Sequence, residues 1–281
     1  MNTRDYLTAE DITAFTPAEK VGIVATVNDD NLPHISLLTS LMGEKEKMLT
    51  IGEFSTGLSK GYMTRNKKIA FALLTMDKHL WRGRAIWNHL SKEGPRYEEY
   101  NQQPMFRYNT YFGINTVHYL DLVDIEGPAP LPMGGIIASA VKTIAAKGGA
   151  AAKGKETILK PFALELFNKL DAMKFLAAID DEGFPFIIPV IQCQAADTGH
   201  LFFHPGPFGH ELDKIAEGTP VALFGLTMQM EDVLVRGTYR TPKRYRGIKG
   251  AVIDIDWVYN SMPPNHGQIY PKVPLEAVKE F

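Results

Sequence analysis

An internal repeat restricts the architecture of this chain before any other property does. Ala25-Thr26-Val27-Asn28-Asp29-Asp30-Asn31-Leu32-Pro33 lines up with Ala177-Ala178-Ile179-Asp180-Asp181-Glu182-Gly183-Phe184-Pro185, apolar residues on apolar residues and turn residues on turn residues. The offset of 152 residues, Ala25 to Ala177, then continues without a gap through Ile35 and Ile187, Leu49 and Leu201, Gly57 and Gly209, Ala70 and Ala222, and Thr75-Met76 and Thr227-Met228. Self-similarity at a fixed spacing signals repeated structural units. Farther on, Arg82-Gly83 meets Arg236-Gly237 at an offset of 154, which implies two extra residues in a hairpin loop of the second copy.

Both copies carry the same order of elements. Val21 to Val27 is short and β-branched, Asn28 to Asn31 supplies turn chemistry, and His34 to Leu41 alternates again, which predicts a hairpin. A strand at Met48–Ile51, a helix over Thr56–Asn66, a buried strand at Ile69–Leu74 and later strands at Leu80–Trp87 and Val117–Ile125 follow. In the second copy Phe175–Ile179, Phe186–Gln192, His200–His204, Val221–Leu226, Val233–Tyr239 and Val252–Trp257 take the strand roles. Several short strands, one intervening helix and close turns predict a mainly β, α+β fold with a small barrel per copy. The expected divisions are a first domain over 1–127, a linker rich in Gly, Ala and Lys over 128–159, and a second, diverged domain over 160–281.

At 281 residues and 45% hydrophobic, the chain has material for two ordinary cores. A net charge of −2 gives no basic field for nucleic acid, so any anion site must be local. The single Cys193 has no intramolecular disulfide partner, and Met1 to Tyr6 lacks a secretory apolar run, so a cytoplasmic location is expected. Gly134–Ala152 is the strongest candidate for a membrane span, but Lys142, Lys147 and its glycines interrupt it. It reads as a linker or a surface helix, and no membrane or nucleic-acid partner is expected.

The hairpin with an acidic turn and Pro33 or Pro185, the strand ending at Gly52 or His204, the small-residue loop, the helix, the apolar strand and the Arg-Gly strand form an ordered pattern. Over roughly 8–127 and 160–271 each copy resembles the FMN-binding split barrel of the pyridoxamine 5'-phosphate oxidase-like superfamily. The closing Val258-Tyr259-Asn260-Ser261-Met262-Pro263-Pro264 is similar to members of it as well. The resemblance implies two tandem split β-barrels forming an intramolecular pseudo-dimer, since members pair as homodimers with flavin at the interface. Further homo-oligomerisation stays open.

Ser55-Thr56-Gly57-Leu58-Ser59-Lys60 runs from a strand end into a helix start, where free backbone N–H groups and the helix dipole favour an anion. The resemblance puts the FMN phosphate there, with Ser55, Thr56, Ser59 and Lys60 as ligands and Arg65 more distant. It passes Ser36, Thr39 and Ser40 along the flavin ring, with Trp81, Arg82 and Trp87 enclosing it. Each has an ordinary alternative: an N-cap for the hydroxyls, a solvated helix face for Lys60 and Arg65, barrel packing for the tryptophans. His200 and His204 read as structural histidines rather than metal ligands. The offset sets Ser59, Lys60 and Arg65 opposite Glu211, Leu212 and Glu217, so one FMN per chain is expected.

The implied activity is an FMN-dependent oxidoreductase acting on a small molecule, with an electron donor or acceptor as second partner. No catalytic residue stands out. The insertion Asn88–His118, with Arg96, Tyr97, Tyr100, Gln102, Tyr108, Asn109, Tyr111 and Phe112, is either a substrate lid or a packed cover. The alternative is a non-catalytic carrier of flavin, haem or deazaflavin in the same cleft.

Overall fold

The computed structural model describes residues 3–17, 19–53, 57–103, 113–152, 157–262 and 266–274. The chain divides into two compact units. One comprises Met1–Asn31, Ser36–Leu131 and Ile179–Ile187; the other comprises Leu32–Ile35, Pro132–Ala178 and Ile188–Phe281.

The first copy contains α1 (Ala9–Phe15), β1 (Lys20–Val27), β2 (Pro33–Leu37), β3 (Met42–Lys45), β4 (Met48–Glu53), α2 (Leu58–Arg65), β5 (Lys68–Thr75), β6 (His79–Ser91), α3 (Pro95–Gln102) and β7 (Thr116–Pro130). After α4 (Met133–Lys147) and α5 (Pro161–Asn168), the second contains β8 (Met173–Ile179), β9 (Pro185–Pro189), β10 (Gln194–Ala195), β11 (His200–Phe203), a 3-10 turn at Gly206–Phe208, α6 (Gly209–Leu212), β12 (Pro220–Leu226), β13 (Asp232–Tyr245), β14 (Ile248–Asn260) and β15 (Gly267–Tyr270). The sheets run β2-β1-β5-β6-β7-β4-β3 and β9-β8-β12-β13-β14-β11-β10, with β15 added beside β14. Strand for strand, the two orders are the same.

The likeness extends to single hydrogen bonds. In the first hairpin the Asn31 amide donates to the Asn28 carbonyl (3.1 Å) and the Asp30 amide to the Asn28 side chain (3.0 Å). In the second, Gly183 donates to the Asp180 carbonyl (2.9 Å) and Glu182 to the Asp180 side chain (3.0 Å). The turn needs a left-handed residue, which is Asn31 (φ 58°) in one copy and Gly183 (φ 80°) in the other. Strand register agrees too: Ala25 faces Ala70 as Ala177 faces Ala222.

Register also corrects the expected loop insertion. Ala70 pairs with Arg84 and Ala222 with Arg236, so the offset stays at 152 and Arg236 corresponds to Arg84, not Arg82. The loops are equal: Lys78 donates to Thr75 at φ 67° and Met230 to Thr227 at φ 64°. A bulge follows at Arg84/Ala85 and at Arg236/Gly237, again equivalent positions. Glycines stand on either side of that bulge because the neighbouring strand comes close. A Cβ on Gly83 would lie 2.2 Å from the Asp124 carbonyl oxygen, and one on Gly237 would lie 2.1 Å from that of Asp254. The shared Arg-Gly dipeptide therefore arises from two separate packing demands.

In the first unit Val24, Leu49, Ile51, Met63, Phe71 and Ile125 form one buried cluster with Phe15 of α1. The stretch expected as a linker holds α4, whose Ile136, Ser139, Thr143 and Ala146 are buried. Residues at this spacing share one helical face, and that face packs on β10, β11 and β14 of the second unit.

Candidate functional site

The site is built where β4 runs toward α2. Ser55 and Thr56 lie outside the described residues. Gly57 caps α2 in an extended conformation, with no side-chain cap hydrogen bond. The first N–H groups of the helix, on Leu58, Ser59 and Lys60, have no acceptor within the helix. Ser59 and Lys60 are buried, Lys60 being only 7% exposed. Its ammonium folds back over the helix start, since a Cβ on Gly57 would lie 3.9 Å from Lys60 Nζ. Burial lowers the Lys60 pKa, against the opposing pull of the Glu53 carboxylate.

Glu53 comes from the end of β4, whose pairing with β7 sets Ile51 opposite His118. His118 is buried, with Nε2 2.9 Å from Glu53 Oε2, and Trp87 Nε1 donates to its Nδ1 at 3.1 Å. An indole N–H only donates, so Nδ1 accepts and Nε2 carries the proton given to Glu53. Burial raises the Glu53 pKa, but the His118 hydrogen bond and the charges of Lys60 and Lys92 outweigh it, and the net shift is downward. The carboxylate is thus ionised at neutral pH. Trp87, His118 and Glu53 form a chain that ends beside the Lys60 ammonium.

The other expected residues divide. Ser40 is committed to the frame: its hydroxyl donates to the Gly52 carbonyl at 2.7 Å, and Tyr100 donates to the Ser40 carbonyl at 2.6 Å while lying 3.0 Å from the Thr50 hydroxyl. Burial pushes the Tyr100 phenol well above its ordinary range. Ser36 and Thr39 are half-buried. Trp81 packs edge-on to Phe15 at 5.6 Å and donates its indole N–H to Asp11 at 2.8 Å, which accounts for it as a core residue. Arg82 pairs with Glu126. Arg65 pairs with Asp29 at 2.8 Å on the exposed surface, so its charge is spent there.

The described part of the insertion is a packed cover rather than a loose lid. Tyr100 is fully buried, and Asn101 holds Ile114 through hydrogen bonds of 2.8 and 3.1 Å. Tyr108, Asn109, Tyr111 and Phe112 lie outside the described residues.

Sequence reasoning missed Glu53 and His118. Only the alternation of β4 and β7 hinted that the two would share a face.

The second copy is built differently here. Its α6 is a single turn, and Leu212, at the position of Lys60, is fully buried. Gln192 replaces Ser40 but keeps its role, donating to the His204 carbonyl at 2.8 Å where Ser40 donates to Gly52. His200 is bound to Asp197 at 2.7 Å. Among the described residues no group of three His, Cys, Asp or Glu side chains is placed to hold a metal.

Two antiparallel sheets of one strand order, each with a helix between its fourth and fifth strands, define a tandem split-barrel protein of the α+β class. No protein-family model matches the sequence, and no curated protein matches it. Among solved structures it is similar to a candidate pyridoxamine 5'-phosphate oxidase from Lactobacillus delbrueckii (18% identity, TM-score 0.35, covering 44% of this chain and 96% of the other). It is also similar to an FMN-binding protein from Syntrophomonas wolfei (13%, 0.37, 43% and 85%) and an FAD-binding protein from Mesorhizobium loti (14%, 0.27, 45% and 99%). Each match spans less than half of this chain and most of the other. Among the described residues no helix is long and apolar enough to cross a membrane.

Proposed function

We propose that the chain is an FMN-binding oxidoreductase acting on a small molecule, with the flavin phosphate seated at the start of α2. The observation that carries this reading is the buried Lys60 ammonium folded over a helix start that has no side-chain cap. The donor set fits a phosphate: backbone N–H groups with no helical acceptor, a glycine that leaves room for close approach, and one cation. Glu53 is the opposing charge, fixed in position by its hydrogen bond from His118. A single anion seat suits a flavin mononucleotide.

Bound FMN supplies hydride or electron transfer. The chain supplies position and charge. The α2 turn orients the phosphate, Lys60 neutralises it, and the Trp87–His118–Glu53 chain holds Lys60 in place. The second copy offers Leu212 and Glu211 at the matching positions, where a phosphate would meet an apolar side chain and a like charge. One FMN per chain follows.

Calorimetric titration of flavin-free protein tests both parts. Binding near one FMN per chain, weakened by Lys60→Glu and unaffected by Glu211→Gln, is the expected result. Two equivalent sites, or affinity unchanged by Lys60→Glu at low and moderate salt, overturns the assignment. Absorbance then separates the enzyme from a carrier: bleaching by a physiological reductant followed by substrate-linked reoxidation supports turnover, and bound pigment without it refutes the oxidoreductase reading.

A further inference from the structure

Helix α4 is apolar on two faces. Ile136, Ser139, Thr143 and Ala146 are buried against the second sheet, yet Ile137, Val141 and Ile144 on the outer side are 59, 62 and 46% exposed. Their spacing of four and then three residues makes one continuous stripe, flanked by the exposed small residues Gly134, Ala138, Ala145 and Gly148. A surface helix in water ordinarily turns a polar face outward, so a second apolar stripe marks a contact.

The surroundings of the stripe are basic. Residues 127–155 contain no Asp or Glu but include Lys142 and Lys147, and residues 233–253 contain none but include Lys243, Arg244, Arg246 and Lys249. The tip of the β13–β14 hairpin reaches the end of α4, where a Cβ on Gly148 would lie 3.0 Å from the Arg246 guanidinium. Lys142 and Lys249 both lie close enough to His204 to act on its charge. Asp213, 3.9 Å from Lys249, and Glu217, 3.4 Å from Arg240, offset only part of this field.

We propose that the outer face of α4 and the tip of the β13–β14 hairpin form a docking surface for an anionic lipid bilayer. Ile137, Val141 and Ile144 enter the boundary between headgroups and acyl chains, while Lys142, Arg246 and Lys249 meet lipid phosphates. This departs from the expectation of no membrane partner, which concerned spanning segments. Charge favours lipid as the occupant. Three aliphatic side chains also fall far short of the roughly 800 Å² per partner that a stable protein dimer buries.

Co-sedimentation of the full chain with vesicles of phosphatidylcholine, alone or mixed with phosphatidylserine, tests the surface. Binding is expected only to the mixed vesicles and to fall as salt rises. Val141→Glu, at an exposed position, should abolish it, and Arg246→Gln and Lys249→Gln should each weaken it about fivefold. Circular dichroism of each variant confirms that folding is intact. Absence of binding to the mixed vesicles, equal binding to both kinds, or binding unchanged by Val141→Glu overturns the proposal. Self-association seen by sedimentation and lost in Val141→Glu assigns the stripe to a second copy instead, and overturns it equally.

Discussion

Asp232 is buried at the start of β13, and Ser261 is the side chain that donates to it. Burial raises its carboxyl from the ordinary 3.8 to about 6, the Ser261 bond opposing only in part. The folded chain therefore holds this proton more tightly than the unfolded chain does. Its contribution to stability is complete below pH 3.8 and is lost as pH rises through about 6. At about 1.4 kcal/mol per pH unit the loss comes to about 3 kcal/mol. In Asp232→Asn the amide oxygen still accepts from Ser261, and no charge develops. The amide brings two N–H groups of its own, but any cost of burying them is the same at every pH. It cancels when the stability difference between variant and parent at about pH 8 is compared with that at about pH 4. Urea titrations of both proteins at both pH values give the four free energies. Part of the loss has already occurred at about pH 4, just above the unfolded value, so the variant should gain about 2.5 kcal/mol relative to the parent between the two conditions. A relative gain under about 1 kcal/mol would mean that Asp232 is not desolvated as its burial implies.

Tyr100→Phe should cost about 1–3 kcal/mol in a urea midpoint, because the Ser40 carbonyl and Thr50 hydroxyl lose a buried partner. Burial lowers the Lys174 ammonium to about 8; the parent should gain stability as pH rises from about 8 toward 10.5, and Lys174→Met should lack that rise when denatured at both limits. Lys20 is also lowered to about 8 by burial, so part of the rise should survive in the variant. Cys193 is fully buried with its thiol pushed up to about 12; it should resist a thiol reagent in the native protein and react at the rate of unfolding, whereas rapid native labelling would show that the strands around it open.

The repeat was legible because its markers are local. Asn28 to Asn31 and Asp180 to Gly183 are turn chemistry, and the left-handed residue each turn needs is an Asn or a Gly for steric reasons that sequence displays directly. Register beyond Thr75 was not legible: two Arg-Gly pairs invited an alignment that strand pairing moves by two residues. Ser59 and Lys60 were readable from the helix start. Trp87 was readable only as enclosing the flavin or packing the barrel, and Glu53 and His118 were not readable, because the three meet only through pairing of β4 and β6 with β7, and nothing in a sequence spacing of 34 or 65 residues announces it. The stretch holding α4 reads as a linker or a surface helix, and the sequence does not decide between the two. The outer face of α4 is as apolar as its inner one, so the helical period is blurred.

The strict offset turns the two copies into a set of paired substitutions on one backbone. Gly22 and Lys174 occupy the same place on β1 and β8, and each accepts the equivalent amide hydrogen bond, from Leu38 at 2.7 Å and from Val190 at 2.8 Å. A Cβ on Gly22 would lie 2.4 Å from the Leu38 carbonyl oxygen. In the second copy a lysine stands at this place, and its ammonium donates to the carbonyl of Lys169 at 2.6 Å and lies 3.3 Å from that of Ile191. The exchange runs the other way at α2, where the first copy buries Lys60 and the second buries Leu212. Leu80 and Asp232 repeat the pattern at the starts of β6 and β13. Each copy thus buries ionisable groups where the other is apolar or has no side chain. A buried charge costs stability unless something compensates it. Lys174 finds that compensation in backbone carbonyls, within its own copy. The partners of Lys60 are an acid and a helix start that favours anions, an arrangement with room for a ligand's charge, and that difference singles out the first copy as the place to look for a phosphate.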